Sequence, residues 1–406
     1  MFCGFVTTRK ENTKYGSSPL GLPHMASTMS CQSCLLNWAL RPCNLLRFLT
    51  LTKPTLLILS LGELSTALLE SVARADLFSK IVVGSRSRMK ALQRANNAII
   101  GAGVEGYYPM IEAEEFDIDQ PSFVHNLRRV NPDIIFTAPS LMPWWKLDGS
   151  NKPALPFAGY MSMHLSLMAK FRDRIGEANT EALWIGASYP DVINPVLNRS
   201  GFGPDCGIGN VQEPIPKLKA GLARHLGCAP QAVSIHLAAQ HAFEYYVLNQ
   251  DAGQVLPPYL LKATVNGQDH TALAKRVLRE PFPFPYDLHF NRVTASAGLV
   301  ALRALTSPTD IDIHLPGIKG LVGGYPVTVN RSKIEIALPK EWSLKQAVDV
   351  NTQSLKWDGI ELIENDGTVV FTEETQRAFY KLLGKSFERL NMSNVDAQAN
   401  EILAAH

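Results

Sequence analysis

Three sets of residues in this chain have the types and spacing for chemistry. In SLGELS, Ser60, Gly62 and Ser65 occupy the three small positions of a G-x-G-x-x-G pattern. Such a loop turns tightly between a strand and a helix, lets the backbone approach a pyrophosphate, and presents the helix N-terminus to its charge. Only the middle glycine is kept, but serine is the next smallest polar choice and its hydroxyl donates to phosphate. The second set is Gly84, Ser85, Arg86 and Arg88. An acid at this point would hold the ribose hydroxyls of NAD, whereas guanidinium groups without an acid suit a 2′-phosphate. These residues predict NADP, with NAD as the alternative cofactor. A solvated basic helix start, in a sheet that binds no nucleotide, is the competing reading. The third set is the stretch from Ser188, which reads SYPDVINPVL, then GIGN, then QHAF, and closes on His241. Histidine is the side chain whose ordinary pKa lets it exchange a proton near neutrality. The bland alternative is a histidine satisfied at a strand end.

These residues need elements to position them. TLLILSL, from Thr55, reads as a strand covered on both faces, and Leu64, Leu68 and Val72 then recur at helical spacing. KIVVGS is the next buried strand, which completes a βαβ unit. A helix starting near Pro121 leads to DIIFTA, and the helix MHLSLMAKFRDRI leads to ALWIGAS. Strands alternating with helices predict a parallel sheet with right-handed crossovers. After Ser200 the pattern changes. A helix over Pro214–Leu226 stops at Gly227, AVSIHLAA alternates as a strand, and another helix spans about 291–305. KGLVGGYPVTVNRSKIEIALP carries turn glycines between alternating strands, which predicts antiparallel pairing, and two further helices follow. The expected class is therefore α/β. A Rossmann-type parallel sheet over residues 54–187 should be followed by a mixed α+β domain over 188–406, with a soft boundary near Ala187.

The chain has 406 residues, 46% apolar and 19% charged, with a formal net charge of +2. That is the balance of an ordinary globular protein, and it points to a small-molecule substrate rather than nucleic acid or a membrane as partner. No apolar run reaches the ~20 residues needed to span a bilayer. The six cysteines are scattered, as expected of reduced intracellular thiols, and a lone C-x-x-C at Cys31 and Cys34 does not make a zinc site. The first 53 residues hold six Lys or Arg against one acid, Glu11, and read as a disordered extension outside the fold. They have the composition of a transit peptide, while GSSPLGLPHMAS has the look of a vector-derived linker. The expected location is cytoplasmic, or organellar if the extension is a targeting segment.

Taken together, the strand-turn-helix at the front and the stretch ending in QHAF resemble lactate and malate dehydrogenases. The resemblance covers roughly Thr55 to Gly359 in order of elements. It implies a homo-oligomeric NAD(P)-dependent oxidoreductase that moves hydride to or from a carbonyl or hydroxyl, or an imine or amine, of a small molecule. On it, His241 falls at the catalytic histidine, and Glu213 falls where the family keeps the acid that orients the imidazole. The substrate side is assigned to Lys146 and Trp144 of the loop SLMPWWKLDGS, and to Tyr189, which replaces the Asn before Pro.

The departures from the family are as informative. The Arg expected three residues after the acid is Pro216, with Lys217 beside it, and Lys146 is the only base of the mobile loop. A bidentate clamp for a small 2-oxo acid is dismantled. Trp144, Trp145, Phe243, Tyr245 and Tyr246 would suit a larger, less charged molecule, unless they pack the core. The same segment resembles the family 4 NAD-dependent glycoside hydrolases, which hold a metal with an Asn-His pair and a Cys. Here Gln240 precedes His241, Asn210 stands where that Cys is wanted, and Cys206 is out of register. No metal ligands are therefore assigned. The remaining alternative is a non-catalytic nucleotide-binding or scaffold protein.

Overall fold

Five runs pair side by side, four of them because they are hydrophobic on both faces. They are β1 (Thr55–Leu59), β2 (Lys80–Ser85), β3 (Ile111–Glu115), β4 (Ile134–Thr137) and β5 (Leu183–Gly186). All pairings are parallel, in the order β3-β2-β1-β4-β5. β3 escaped the sequence reading because its run IEAEE carries three acids; it is an edge strand with Glu112 and Glu115 exposed. The computed structural model describes residues 53–143, 146, 155–248, 255–285 and 287–405. The extension through residue 52, with Cys31 and Cys34, lies outside the described residues, as do Trp144 and Trp145.

Helices α1 (Glu63–Val72), α2 (Arg88–Val104), α3 (Ser122–Val130) and α4 (Ser162–Ala178) are the crossovers. The period of two along each strand splits the core. Leu57, Leu59, Val82 and Ile135 face one hydrophobic layer with α3 and α4. Leu56, Ile58, Ile81, Val83 and Phe136 face the other, with α1 and α2. Each such fully buried side chain contributes roughly 1.5–3 kcal/mol.

After β5 the chain enters α5 (Pro190–Arg199) and α6 (Pro214–Leu226). Three antiparallel sheets follow. The first joins β6 (Val233–Ala238), β7 (Leu260–Val265) and β8 (Gln268–Asp269), with α7 (His241–Leu248) between β6 and β7 and α8 (Thr271–Val277) after β8. Then α9 (Phe290–Thr306) leads to β9 (Ile311–Pro316), β10 (Gly324–Asn330) and β11 (Lys333–Ile336). The last unit has α10 (Leu344–Ser354), a 3-10 turn over Leu355–Asp358, β12 (Ile360–Ile363), β13 (Val369–Phe371), α11 (Glu373–Leu383), β14 (Arg389–Leu390) and α12 (Val395–Ala405).

These later elements complete the layers begun by the parallel sheet. Phe371, Phe379, Val395, Ala399 and Ile402 join the first layer. Ala295, Ala301, Leu302 and Tyr325 join the second. Gly298 lets α9 approach α1, since a Cβ there would stand 3.1 Å from Leu68. By contact, the described residues belong to one compact unit. None of their helices is long and apolar enough to cross a membrane.

Candidate active site

A cleft of about 690 Å³ opens at the C-terminal ends of the parallel strands, where α/β sheets hold their ligands. Ser60, Gly62, Ser85 and Arg86 line one end of it; Tyr189, Asn210, His241 and Glu244 line the other.

The loop after β1 is built to turn. Ser60 adopts a left-handed φ of 65°, and the Gly62 N–H donates to the Ser60 carbonyl at 2.8 Å. Gly62 caps α1 without a side chain, so the first-turn N–H groups keep no capping partner there. A Cβ added at Gly62 would meet nothing within 4 Å. The backbone approach to the helix N-terminus is therefore open, which fits a pyrophosphate. Glu63 also lines this end; its carboxylate suits the helix dipole and competes with an incoming anion.

Two assigned nucleotide residues fall elsewhere. Ser65 is fully buried, its hydroxyl without a protein partner, and it does not line the cleft. Its place in the first turn of α1 turns it into the sheet, so it serves helix–strand packing and not phosphate. Arg88 is exposed as the first residue of α2 and also stays off the cleft. Ser87 accepts from the Lys90 N–H and so fixes where that helix begins. Lys90, which the sequence reading passed over, lines the cleft with Arg86. Phe116 and Ile118 form an apolar wall nearby.

At the other end, His241 begins α7 and is 7% exposed. Its ring packs against Phe157, centroids 4.1 Å apart, and against Tyr189, 5.0 Å away. Nδ1 lies 3.0 Å from both oxygens of Asp358. The Tyr189 hydroxyl and the Gln240 amide also donate to Asp358, each at 2.6 Å. Nε2 has no protein partner among the described residues, and the ring faces the cleft. Burial opposes the charged imidazole, but the Asp358 carboxylate, supported by Asp191 and Glu213, outweighs it and holds the His241 pKa above its usual value.

Asp358 thus replaces Glu213 as the orienting acid. Glu213 precedes α6, and its carboxyl is spent elsewhere: Oε2 accepts from the Asn210 N–H at 2.9 Å and Oε1 from the Thr294 hydroxyl at 2.7 Å. Glu244 hydrogen-bonds to Glu213 as well. Burial, first, and the neighbouring carboxyl raise the pKa of Glu244 well above the ordinary range; burial also raises that of Glu213. Burial lifts Asp191 to about 7; it accepts from the Asn210 side chain.

Of the substrate residues, Tyr189 lines the cleft and spends its hydroxyl on Asp358. Lys146 lines the mouth and is exposed. Trp144 lies outside the described residues. The aromatic run does not face the cleft: Phe243 is fully buried and Tyr245 is 40% exposed. Cys206 sits in the core, where burial pushes its thiol up, and it also stays off the cleft. The described residues contain no group of three His, Cys, Asp or Glu able to hold a metal.

Asp358, Asp191 and Glu244 escaped the sequence reading. For Asp358 there was no signal, because it lies 117 residues beyond its partner. Glu244 had one. It stands three residues after His241, on the same face if HAFEYYVL is read as a helix.

No family model matches this chain, and no curated relative does. Solved structures do share its fold. Malate dehydrogenase from Plasmodium falciparum, in complex with NADH, aligns with 80% of this chain and 98% of its own, at 13% identity and a TM-score of 0.50. Malate dehydrogenase from Cryptosporidium parvum aligns with 75% of this chain and 96% of its own, at 13% identity and a TM-score of 0.53. A minor L-lactate dehydrogenase from Enterococcus mundtii gives the same coverages, at 11% identity and a TM-score of 0.50. At these identities the likeness is one of fold, and it matches the architecture expected from the sequence.

Proposed function

We propose that this protein is an NAD(P)-linked oxidoreductase acting on a carbonyl or hydroxyl, or an imine or amine, of a small molecule. One observation carries the reading. A histidine whose Nε2 has no partner among the described residues, and whose Nδ1 meets a carboxylate, shares a single cleft with the open N-terminus of α1. The fold's likeness to malate and lactate dehydrogenases, one of them solved with NADH, supports it.

The nicotinamide, when bound, supplies or accepts the hydride. The chain supplies the rest. Asp358 accepts from Nδ1, which leaves Nε2 as the atom that exchanges a proton with the substrate oxygen. The raised pKa favours the protonated ring, the form that reduction uses. Phe157 and Tyr189 flank the ring and exclude water from two sides. Gly62 and the first turn of α1 would receive the pyrophosphate. Arg86 and Lys90, at the end of β2, favour the 2′-phosphate of NADP over NAD.

The test is thermal unfolding with NAD, NADH, NADP and NADPH. A nucleotide at 100 times its Kd adds about 2.7 kcal/mol of stability. No shift with any of the four sinks the oxidoreductase and leaves a scaffold protein. The metal-assisted hydrolase is disfavoured by Cys206, which lies in the core and off the cleft.

A further inference from the structure

Four carboxyl side chains crowd the substrate end of the cleft. Asp191 is completely buried, Glu244 is 2% exposed, Asp358 is 3% and Glu213 is 7%. They come from α5, α7, the 3-10 turn before β12 and the segment before α6. Asp358 is taken by His241, Tyr189 and Gln240. Glu213 is taken by Asn210 and Thr294. Asp191 takes a bond from Asn210 and also has an oxygen, Oδ1, buried without a partner, but it does not line the cleft. Glu244 differs from the other three. It hydrogen-bonds to Glu213, yet its Oε1 is buried without a protein partner, and the residue lines the cleft one helical turn beyond His241.

The cations of the described lining are placed apart from this acid. Arg86 and Lys90 stand at the end of β2, and Lys146 stands exposed at the mouth. Lys217, on the neighbouring α6, spends its ammonium on the carbonyls of Val247 and Leu278. A buried, under-used carboxyl beside the proton-exchanging ring is a receptor for a positive group, not for a 2-oxo acid.

We propose that Glu244 receives an ammonium group of the substrate, so that the reacting carbon lies beside an amine. The class is an amino alcohol and its amino ketone. This rests on the oxidoreductase reading. In the free protein Glu244 holds a proton, because burial and the facing carboxyls of Glu213, Asp191 and Asp358 all oppose its ionisation. The cation of His241 lies nearby, but it is paired with Asp358. An ammonium ligand takes the proton's place: the Glu244 carboxylic acid and R–NH3⁺ become the carboxylate–ammonium pair, and one proton leaves to solvent.

Three secondary alcohols of three carbons test the idea on the full chain: 1-amino-2-propanol, 1,2-propanediol and lactate. Oxidation with NAD or NADP is followed at 340 nm. Binding is followed by calorimetry in two buffers of different ionisation heat, which reports proton release. The expected result is a preference of at least about tenfold for the amino alcohol over the diol, with proton release on binding. Glu244→Gln should collapse that ratio, and Glu244→Asp should restore part of it. A lactate preference, equal handling of amine and diol, or a Glu244→Gln protein that keeps the ratio overturns the proposal. Amine binding with proton release but no nucleotide shift overturns the oxidoreductase and leaves the ammonium site standing. A nucleotide shift without amine preference does the reverse.

Discussion

Nδ1 of His241 lies 3.0 Å from both carboxylate oxygens of Asp358, across 117 residues of sequence. This contact sets both the tautomer and the charge of the ring. Asp358→Asn removes the carboxylate that does most to hold the proton on the ring, so the His241 pKa should fall. Reduction needs the protonated ring, and its rate is lost as pH rises through that pKa. The pH–rate profile should therefore move to lower pH, with turnover near neutrality down about 10–100-fold. A profile that stays in place would show that Asp358 does not act on the ring.

His241→Gln removes the exchangeable proton itself. Turnover should drop by about 10²–10⁴-fold. Nucleotide affinity should hold, because the ring lies at the far end of the cleft from Gly62 and Ser85. Near-normal turnover in steady-state assays would move the acid–base role to His164, which also lines the cleft.

Gly62→Ala separates binding from folding. Gly62 has φ −81° and ψ −169°, which alanine adopts readily, and its Cβ meets nothing. The melting temperature should hold or rise slightly, since Gly→Ala at a compatible site gains about 0.4–1 kcal/mol. The new methyl stands where a phosphate must approach, so NAD(P)H should bind at least about tenfold more weakly. Unchanged affinity in a fluorescence titration would place the pyrophosphate elsewhere.

Arg86→Ala should weaken NADPH far more than NADH. Arg88→Ala should weaken neither by much, because Arg88 does not line the cleft. Titrations of both nucleotides against both variants decide this. Equal losses for NADH and NADPH on Arg86→Ala would remove the 2′-phosphate role.

The buried acids predict a pH-dependent stability. Glu213 and Glu244 are raised from the usual 4.5, and His241 is raised from 6.5. In each case the folded state holds its proton more tightly than the unfolded chain. Their contribution is complete below the ordinary pKa and is lost as pH rises through the raised one. Glu244→Gln removes one of these titrations. Relative to the parent, the variant should gain melting temperature as pH rises above the ordinary 4.5 of the carboxyl. A difference independent of pH would contradict the burial of an ionisable Glu244.

Much of the fold was legible because its signals are local. The apolar runs TLLIL, KIVVGS and IIFT carry a parallel-sheet pattern within themselves, and Gly227 stops a helix where Leu226 ends. β3 lacked that signal, since an edge strand need not be apolar on both sides. That Ser60, Gly62, Ser85 and Arg86 line the cleft follows from the same local signal, as they follow strands directly. Ser65 and Arg88 were misplaced because a motif fixes spacing along the chain and not the face a helix turns to the cleft. His241 lines the cleft as its position suggested, but the acid beside it was not foreseen. Glu213 had the right spacing and the wrong neighbours, and Asp358 reaches the ring only once β12 and the 3-10 turn have docked.

That long-range contact also has a consequence for how the protein is made. Chains emerge N-terminal end first, at about 5–20 residues per second. The parallel sheet is complete in sequence at Gly186, and His241 follows soon after. Asp358 leaves the ribosome 117 residues behind its partner, a lag of roughly 6–23 s. During that interval the growing chain holds every strand of the parallel sheet and a histidine whose carboxylate partner has not yet been synthesised. A transcript cut short in this window would yield a chain that carries its whole parallel sheet, yet with the His241 ring left without its carboxylate.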